Sequence, residues 1–148
     1  MMSKVFRCVE CGKGMVRRLA KAGRTDVHKT MKLKIPARIK IPTCDACGAE
    51  FVDDQAARDI DAALEVSYRK RLHVLARRAI DVLSEHTQPT ELERKLGLSQ
   101  GYLSRLKNGS RDPSPDLVVV LSFLARAPKT RLRELEDIWK LDPAELHR

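Results

Sequence analysis

The sequence predicts an α+β protein in two parts: a small antiparallel β domain over residues 1–68 with a trailing helix, then an all-α domain over residues 69–148. Three observations predict it. The only cysteines form two matching C-x-x-C-G pairs near the front. The interval between the pairs alternates apolar and polar residues with period two, the mark of a strand with one buried face. After the second pair the spacing changes to three-and-four, and Gly and Pro cut it into short helices.

Cys8-Val-Glu-Cys11-Gly12 and Cys44-Asp-Ala-Cys47-Gly48 come first. Two residues between thiols let one tight turn aim both sulfurs at a point, and a Gly after the second Cys adopts a positive φ cheaply. Two such turns supply the tetrahedral set of a structural Zn²⁺, one ion held by Cys8, Cys11, Cys44 and Cys47 with Zn–S of about 2.3 Å. Four protein ligands leave no coordination position for water, so the ion holds structure and catalyses nothing. A disulfide pair or a redox C-x-x-C is the rival reading. Disulfides are rare in a compartment that keeps thiols reduced, and a thioredoxin-like site needs only one C-x-x-C in a βαβ setting. His28 lies between the pairs and reads as a surface histidine.

The 32 residues between Cys11 and Cys44 must return the chain to the metal. Val27, Met31, Leu33, Ile35, Ala37, Ile39 and Ile41 take odd positions, and His28, Thr30, Lys32, Lys34, Arg38 and Lys40 even ones. This predicts a long strand, interrupted once at Lys29 and divided or edged at Pro36. A shorter strand near Met15–Leu19, a loop over residues 21–26 and a turn at Gly23-Arg24 complete a small sheet. The lysine row suits an acidic partner or a solvated face that discourages edge pairing, and the solvated face is the preferred reading.

From Asp53 to Gln88 there is no Gly or Pro. Asp53 and Asp54 suit a helix start by capping and dipole. Ala56, Ile60, Ala63, Leu64, Leu72, Leu75, Ala79 and Leu83 fall on one stripe, as one long helix or two with a break around Tyr68 to Leu72. The run Tyr68-Arg-Lys-Arg-Leu-His-Val-Leu-Ala-Arg-Arg78 is strongly basic, as a phosphate-facing strip or a solvated hinge.

Pro89 opens the next helix, Leu92 and Leu96 form its stripe, and Gly97 ends it. Ser99 suits the cap of a second short helix, Gln100 to about Lys107, with Leu103 and Leu106 inward and Asn108-Gly109 as its stop. Two short helices joined by a Gly-containing turn make a helix-turn-helix, and the domain resembles the lambda-repressor-like fold. Gln100, Gly101, Ser104 and Arg105 are the outward positions that would meet base edges in a major groove. Lys107, Asn108 and Arg111 sit where phosphate contacts fall. Ser114 and Pro115 start a further helix with Leu117, Val120, Leu121 and Leu124 on the pair before it. Leu132, Leu135, Ile138 and Trp139 then complete the core or form a dimer seam.

The charge balance agrees with an anionic partner: 29 Lys and Arg against 20 Asp and Glu, and a pI of about 9.7. No apolar run approaches a membrane span and no secretory signal is visible, which predicts a cytoplasmic protein without a membrane partner. There is no H-E-x-x-H, no phosphate-cradling Gly loop and no Cys/His or Ser/His/Asp constellation, so the sequence predicts no catalytic residue and no enzyme.

Residues Leu98 to Leu121, with Leu-Ser-Gln-Gly-Tyr-Leu-Ser-Arg-Leu-Lys-Asn-Gly before Pro-Ser and an apolar helix, resemble the Cro/CI (XRE) family of DNA-binding domains. Residues 8 to about 64 resemble the YgiT-type zinc domain. In this order the two are similar to the MqsA family of antitoxins. The resemblance implies a zinc-stapled front that binds an mRNA-cleaving toxin (an mRNA interferase), and a back half that forms a homodimer and represses its own operon from double-stranded operator DNA. It maps the metal ligands to Cys8, Cys11, Cys44 and Cys47, and the base-reading helix to Gln100 through Asn108. Pro89 takes the place of the family's opening Gln. Glu93 replaces a small residue inside the first helix, where it is expected to crowd or tilt the pair. A zinc-stabilised interaction module whose helix-turn-helix no longer binds DNA is the alternative.

Overall fold

A computed structural model of the chain describes residues 4–147. By internal contacts the chain divides into two compact units, Met1–Tyr68 and Arg69–Arg148.

In the first unit, β1 (Phe6–Arg7), β2 (Met15–Ala20) and β5 (Lys40–Cys44) form an antiparallel sheet in the order β1-β2-β5, while β3 (Thr25–His28) and β4 (Met31–Lys34) form a separate hairpin. Val16 faces both Phe6 and Cys44 across the first sheet, so β2 carries the register from one cysteine pair to the other.

The single long strand expected between Val27 and Ile41 is therefore three strands in two sheets. Its first break is a tight turn in which Lys29 takes a φ of 55°, uncommon for a side-chain-bearing residue. The second is a loop closed by the Ile39 amide on the Pro36 carbonyl at 3.0 Å. Leu33, Ile35, Ile39 and Ile41 are buried as the alternation predicts, but Val27 and Ala37 are exposed. The expected loop over residues 21–26 also ends early, since β3 begins at Thr25. Gly23 (φ 88°) makes the turn, and Arg24 instead is buried. The Arg24 guanidinium donates to Glu50 Oε1 (2.6 Å), the Leu19 carbonyl (3.1 Å) and Thr43 Oγ1 (3.1 Å), which offsets the cost of burying its charge.

Helix α1 runs unbroken from Asp54 to Ser84, as an interval without Gly or Pro allows. Asp53 caps it, its Oδ1 accepting the Ala56 amide at 2.8 Å. That amide, together with the paired Arg18 guanidinium, holds the Asp53 carboxyl below its ordinary value. His28 is no free surface histidine: its Nε2 is 2.6 Å from Glu65 Oε2 on α1, and its ring meets Tyr68 edge-on.

In the second unit, α2 (Pro89–Leu96), α3 (Tyr102–Asn108), α4 (Pro115–Ala125) and α5 (Pro128–Ile138) precede a short 3₁₀ helix, Pro143–His147. Proline stands at the start of α2, α4 and α5, where the missing amide costs nothing. Ala79, Ile80 and Leu83 of α1 join Leu92, Leu103, Leu106, Leu121, Leu124, Leu132 and Leu135 in one core. Of the three valines on α4 the inward one is Val118, and Val120, expected inside, is exposed. Leu132 and Leu135 complete the core, whereas Ile138 and Trp139 remain exposed. The Trp139 indole donates to the Lys95 carbonyl at 2.6 Å. Among the described residues no helix is long and apolar enough to cross a membrane.

Candidate metal centre and nucleic-acid interface

The two C-x-x-C-G segments fold alike. The Gly12 amide bonds the Cys8 carbonyl at 3.0 Å, and the Gly48 amide bonds the Cys44 carbonyl at 3.1 Å. Both glycines take positive φ, 66° and 76°. The four sulfurs lie within 4.8 Å of one another. Cys8 Sγ is 3.7 Å from Cys47 Sγ, and Cys11 Sγ is 3.8 Å from Cys44 Sγ. A tetrahedron with Zn–S of about 2.3 Å has edges of about 3.8 Å, whereas a disulfide needs about 2.05 Å. The donor set thus fits a metal ion such as zinc.

Backbone amides point at these sulfurs. Gly14 N–H reaches Cys11 Sγ at 3.5 Å, and Ala46 N–H reaches Cys44 Sγ at 3.4 Å. The amides of Gly14 and Lys13 lower the Cys11 thiol to about 6, and those of Cys47 and Ala46 lower Cys44. At Cys47 the Ala49 amide favours the thiolate, but desolvation and the three neighbouring thiols outweigh it and push the group up to about 12. Four thiolates this close do not coexist without a cation to offset their repulsion. Gly14 packs against the group: a Cβ there would lie 2.4 Å from Cys44 Sγ. His28 is not among the four, being held by Glu65.

In the second unit, Gly97 (φ 69°) closes α2, and Leu98 N–H reaches back to the Glu93 carbonyl at 2.8 Å. The start of α3 differs from expectation. Ser99 is not its cap, and the helix begins at Tyr102 after Gly101, whose φ is 80°. The cap comes from α2. Glu93, 3% exposed, accepts the amides of Gly101 (Oε1, 3.1 Å) and Leu103 (Oε2, 2.9 Å). The residue expected to crowd the helix pair instead joins it. The sequence signal was a charged residue beside inward Leu92, on the face that must meet α3.

Gln100 and Ser104 are exposed, and Arg105 is half-buried with Nη2 3.5 Å from Ser99 Oγ. Gly101 serves the backbone, since only a glycine adopts its φ readily, and a Cβ there would stand 3.2 Å from Arg105 Nη1. Lys107 Nζ is 2.6 Å from Asp81 of α1. Asn108 Oδ1 accepts the Ser110 amide at 2.9 Å and shapes the turn after α3. The Arg111 guanidinium lies 4.3 Å from the Tyr102 ring centroid. Leu103 and Leu106 are buried, so this face of α3 is the one left to solvent.

Residues 83–135 match the family described as Helix-turn-helix. The chain carries an XRE-type helix-turn-helix domain. The match runs from the last turn of α1 to Leu135 of α5, so the XRE-type domain includes the core leucines of α2 to α5 as well as the α2–α3 pair. A search of curated proteins gave no match. The XRE-type domain makes this protein a DNA-binding regulator.

Proposed function

We propose that this regulator is a sequence-specific repressor that acts as the antitoxin of a type II toxin–antitoxin pair. It binds its own operator as a homodimer, neutralises an mRNA-cleaving toxin, and holds one structural Zn²⁺ on Cys8, Cys11, Cys44 and Cys47. The ion would cross-link two turns far apart in sequence, a folding role that needs no open coordination position. The observation that carries the reading is the surface around α3: exposed Gln100 in the turn just before the helix, and exposed Ser104 and half-buried Arg105 on a helix whose Leu103 and Leu106 are locked into the core. In this reading Arg105 forks onto guanine O6/N7, Gln100 pairs with adenine, and Ser104 is a less selective reader. Gly101 lets the backbone approach the duplex. Lys107, Asn108 and Arg111 lie toward the phosphates. The toxin-binding part rests on the order of the two halves, four-cysteine sheet before XRE-type domain.

The deciding experiment measures binding to duplex DNA from immediately upstream of the gene against a scrambled duplex of equal composition. The repressor favours the upstream duplex, and Arg105→Ala loses about 1–3 kcal/mol of that preference. Equal affinity for the two duplexes would overturn sequence-specific repression. Co-purification with the product of an adjacent open reading frame, and suppression of its RNA cleavage, tests the antitoxin role.

A further inference from the structure

We infer that Arg77 of α1 is a phosphate contact, extending the nucleic-acid surface of α3 onto the helix that precedes the helix-turn-helix. The inference rests on the DNA-binding reading above. His73, Arg77 and Asp81 are four residues apart and share one face of α1. That face runs along the end of α3 and the turn after it. His73 Nε2 is 2.7 Å from Asp112 Oδ1, and Asp81 Oδ1 is 2.6 Å from Lys107 Nζ. Between them, a Cβ built on Gly109 would lie 3.4 Å from Arg77 Nη2. Arg77 therefore arrives at the glycine that closes α3.

The local charges favour an anion there. The two carboxylates of this strip, Asp81 and Asp112, are each engaged by Lys107 or His73. Arg77 is exposed and has no carboxylate partner among the described residues, and the same holds for the guanidiniums of Arg105 and Arg111. Three guanidiniums thus flank one short helix without an acid to neutralise them. A phosphate accepts the planar fork of a guanidinium in two parallel hydrogen bonds, and phosphate contacts beside a base-reading helix set its register on the duplex. The competing role for Arg77 is purely structural, a cation near the C-terminal end of the α3 dipole. That role would change stability but not the number of counterions released on binding.

The test follows the affinity of wild type, Arg77→Gln and Arg77→Lys for the upstream and scrambled duplexes between about 50 and 200 mM KCl. Arg77→Gln is expected to weaken binding to both duplexes by a similar factor, roughly three- to tenfold, and to reduce the salt slope by about one. The ratio between duplexes is retained, and Arg77→Lys keeps the wild-type slope. An Arg77→Gln slope equal to wild type overturns the inference, whatever happens to the melting temperature. A wild type that binds neither duplex overturns the DNA reading and this inference with it. A wild type that binds both duplexes equally removes sequence selectivity alone, and the slope still decides Arg77.

Discussion

The Glu93 carboxylate on α2 accepts the Leu103 amide at the start of α3 at 2.9 Å, so one helix of the pair caps the other. Both groups are buried. Glu93→Ala leaves the amides of Gly101 and Leu103 without an acceptor and is expected to destabilise the second unit by about 2–4 kcal/mol. Glu93→Gln retains one acceptor oxygen and costs less. Urea unfolding followed by helix content measures both. A loss below about 0.5 kcal/mol for Glu93→Ala, the size of an ordinary surface change, would show that water caps α3 instead.

Gly14→Ala is expected to disturb the metal centre more than Gly12→Ala, although Gly12 has the positive φ. At Gly14 the added carbon meets Cys44 Sγ at 2.4 Å and Ala46 Cβ at 2.6 Å, whereas at Gly12 nothing lies within 4 Å. The Gly12 change costs about 1–2 kcal/mol of backbone strain. Competition with a chromophoric chelator gives the order of metal affinity, and a reversed order contradicts the packing seen around Cys44.

The purified protein is expected to hold about one zinc per chain, and Cys44→Ser to lose it. Hydrogen exchange after chelation should then show lost protection in β2 and β5, which join the two cysteine pairs, and retained protection in α2 to α5. Retained protection in β2 and β5 without metal would mean that the sheet stands on its own packing.

The Asp53 cap gives a pH dependence of known sign. The Ala56 amide, then Arg18, lower this carboxyl from its ordinary 3.8, so the folded chain binds the proton less readily than the unfolded one. The stabilisation is complete above the unfolded value and is lost as pH falls through the folded one. Asp53→Asn can still cap but does not titrate. Between about pH 5 and pH 3 its stability should therefore fall less than that of the wild type. Parallel acid profiles for the two proteins would assign the acid sensitivity to other carboxylates.

The ends of α2 and α3 and the start of α4 were legible because their signals are local: Gly97, Gly109 and the Ser114-Pro115 start each act within one turn, whereas the start of α3 was misplaced at Ser99-Gln100. The sulfur cluster was legible because spacing alone constrains it. The Glu93 cap was not, since its partners lie eight and ten residues away across a turn. In the run Val118-Val119-Val120 identical side chains carry no phase, and the core selected Val118. The turn at Lys29 was hidden for another reason. A lysine there gives no turn signal, yet its Nζ is 3.2 Å from Glu65 and 4.7 Å from the Tyr68 ring centroid, contacts that a glycine would forgo.

The prolines that open α2, α4 and α5 bear on how a duplex can be held. A helix start normally offers an anion its first free amides, and proline has none to offer at that position. Each of these starts brings one amide fewer to an anion, and a larger share of any grip on the sugar-phosphate chain falls to long cationic side chains, which act by displacing counterions. Occupancy of a duplex held in this way is expected to fall as ionic strength rises.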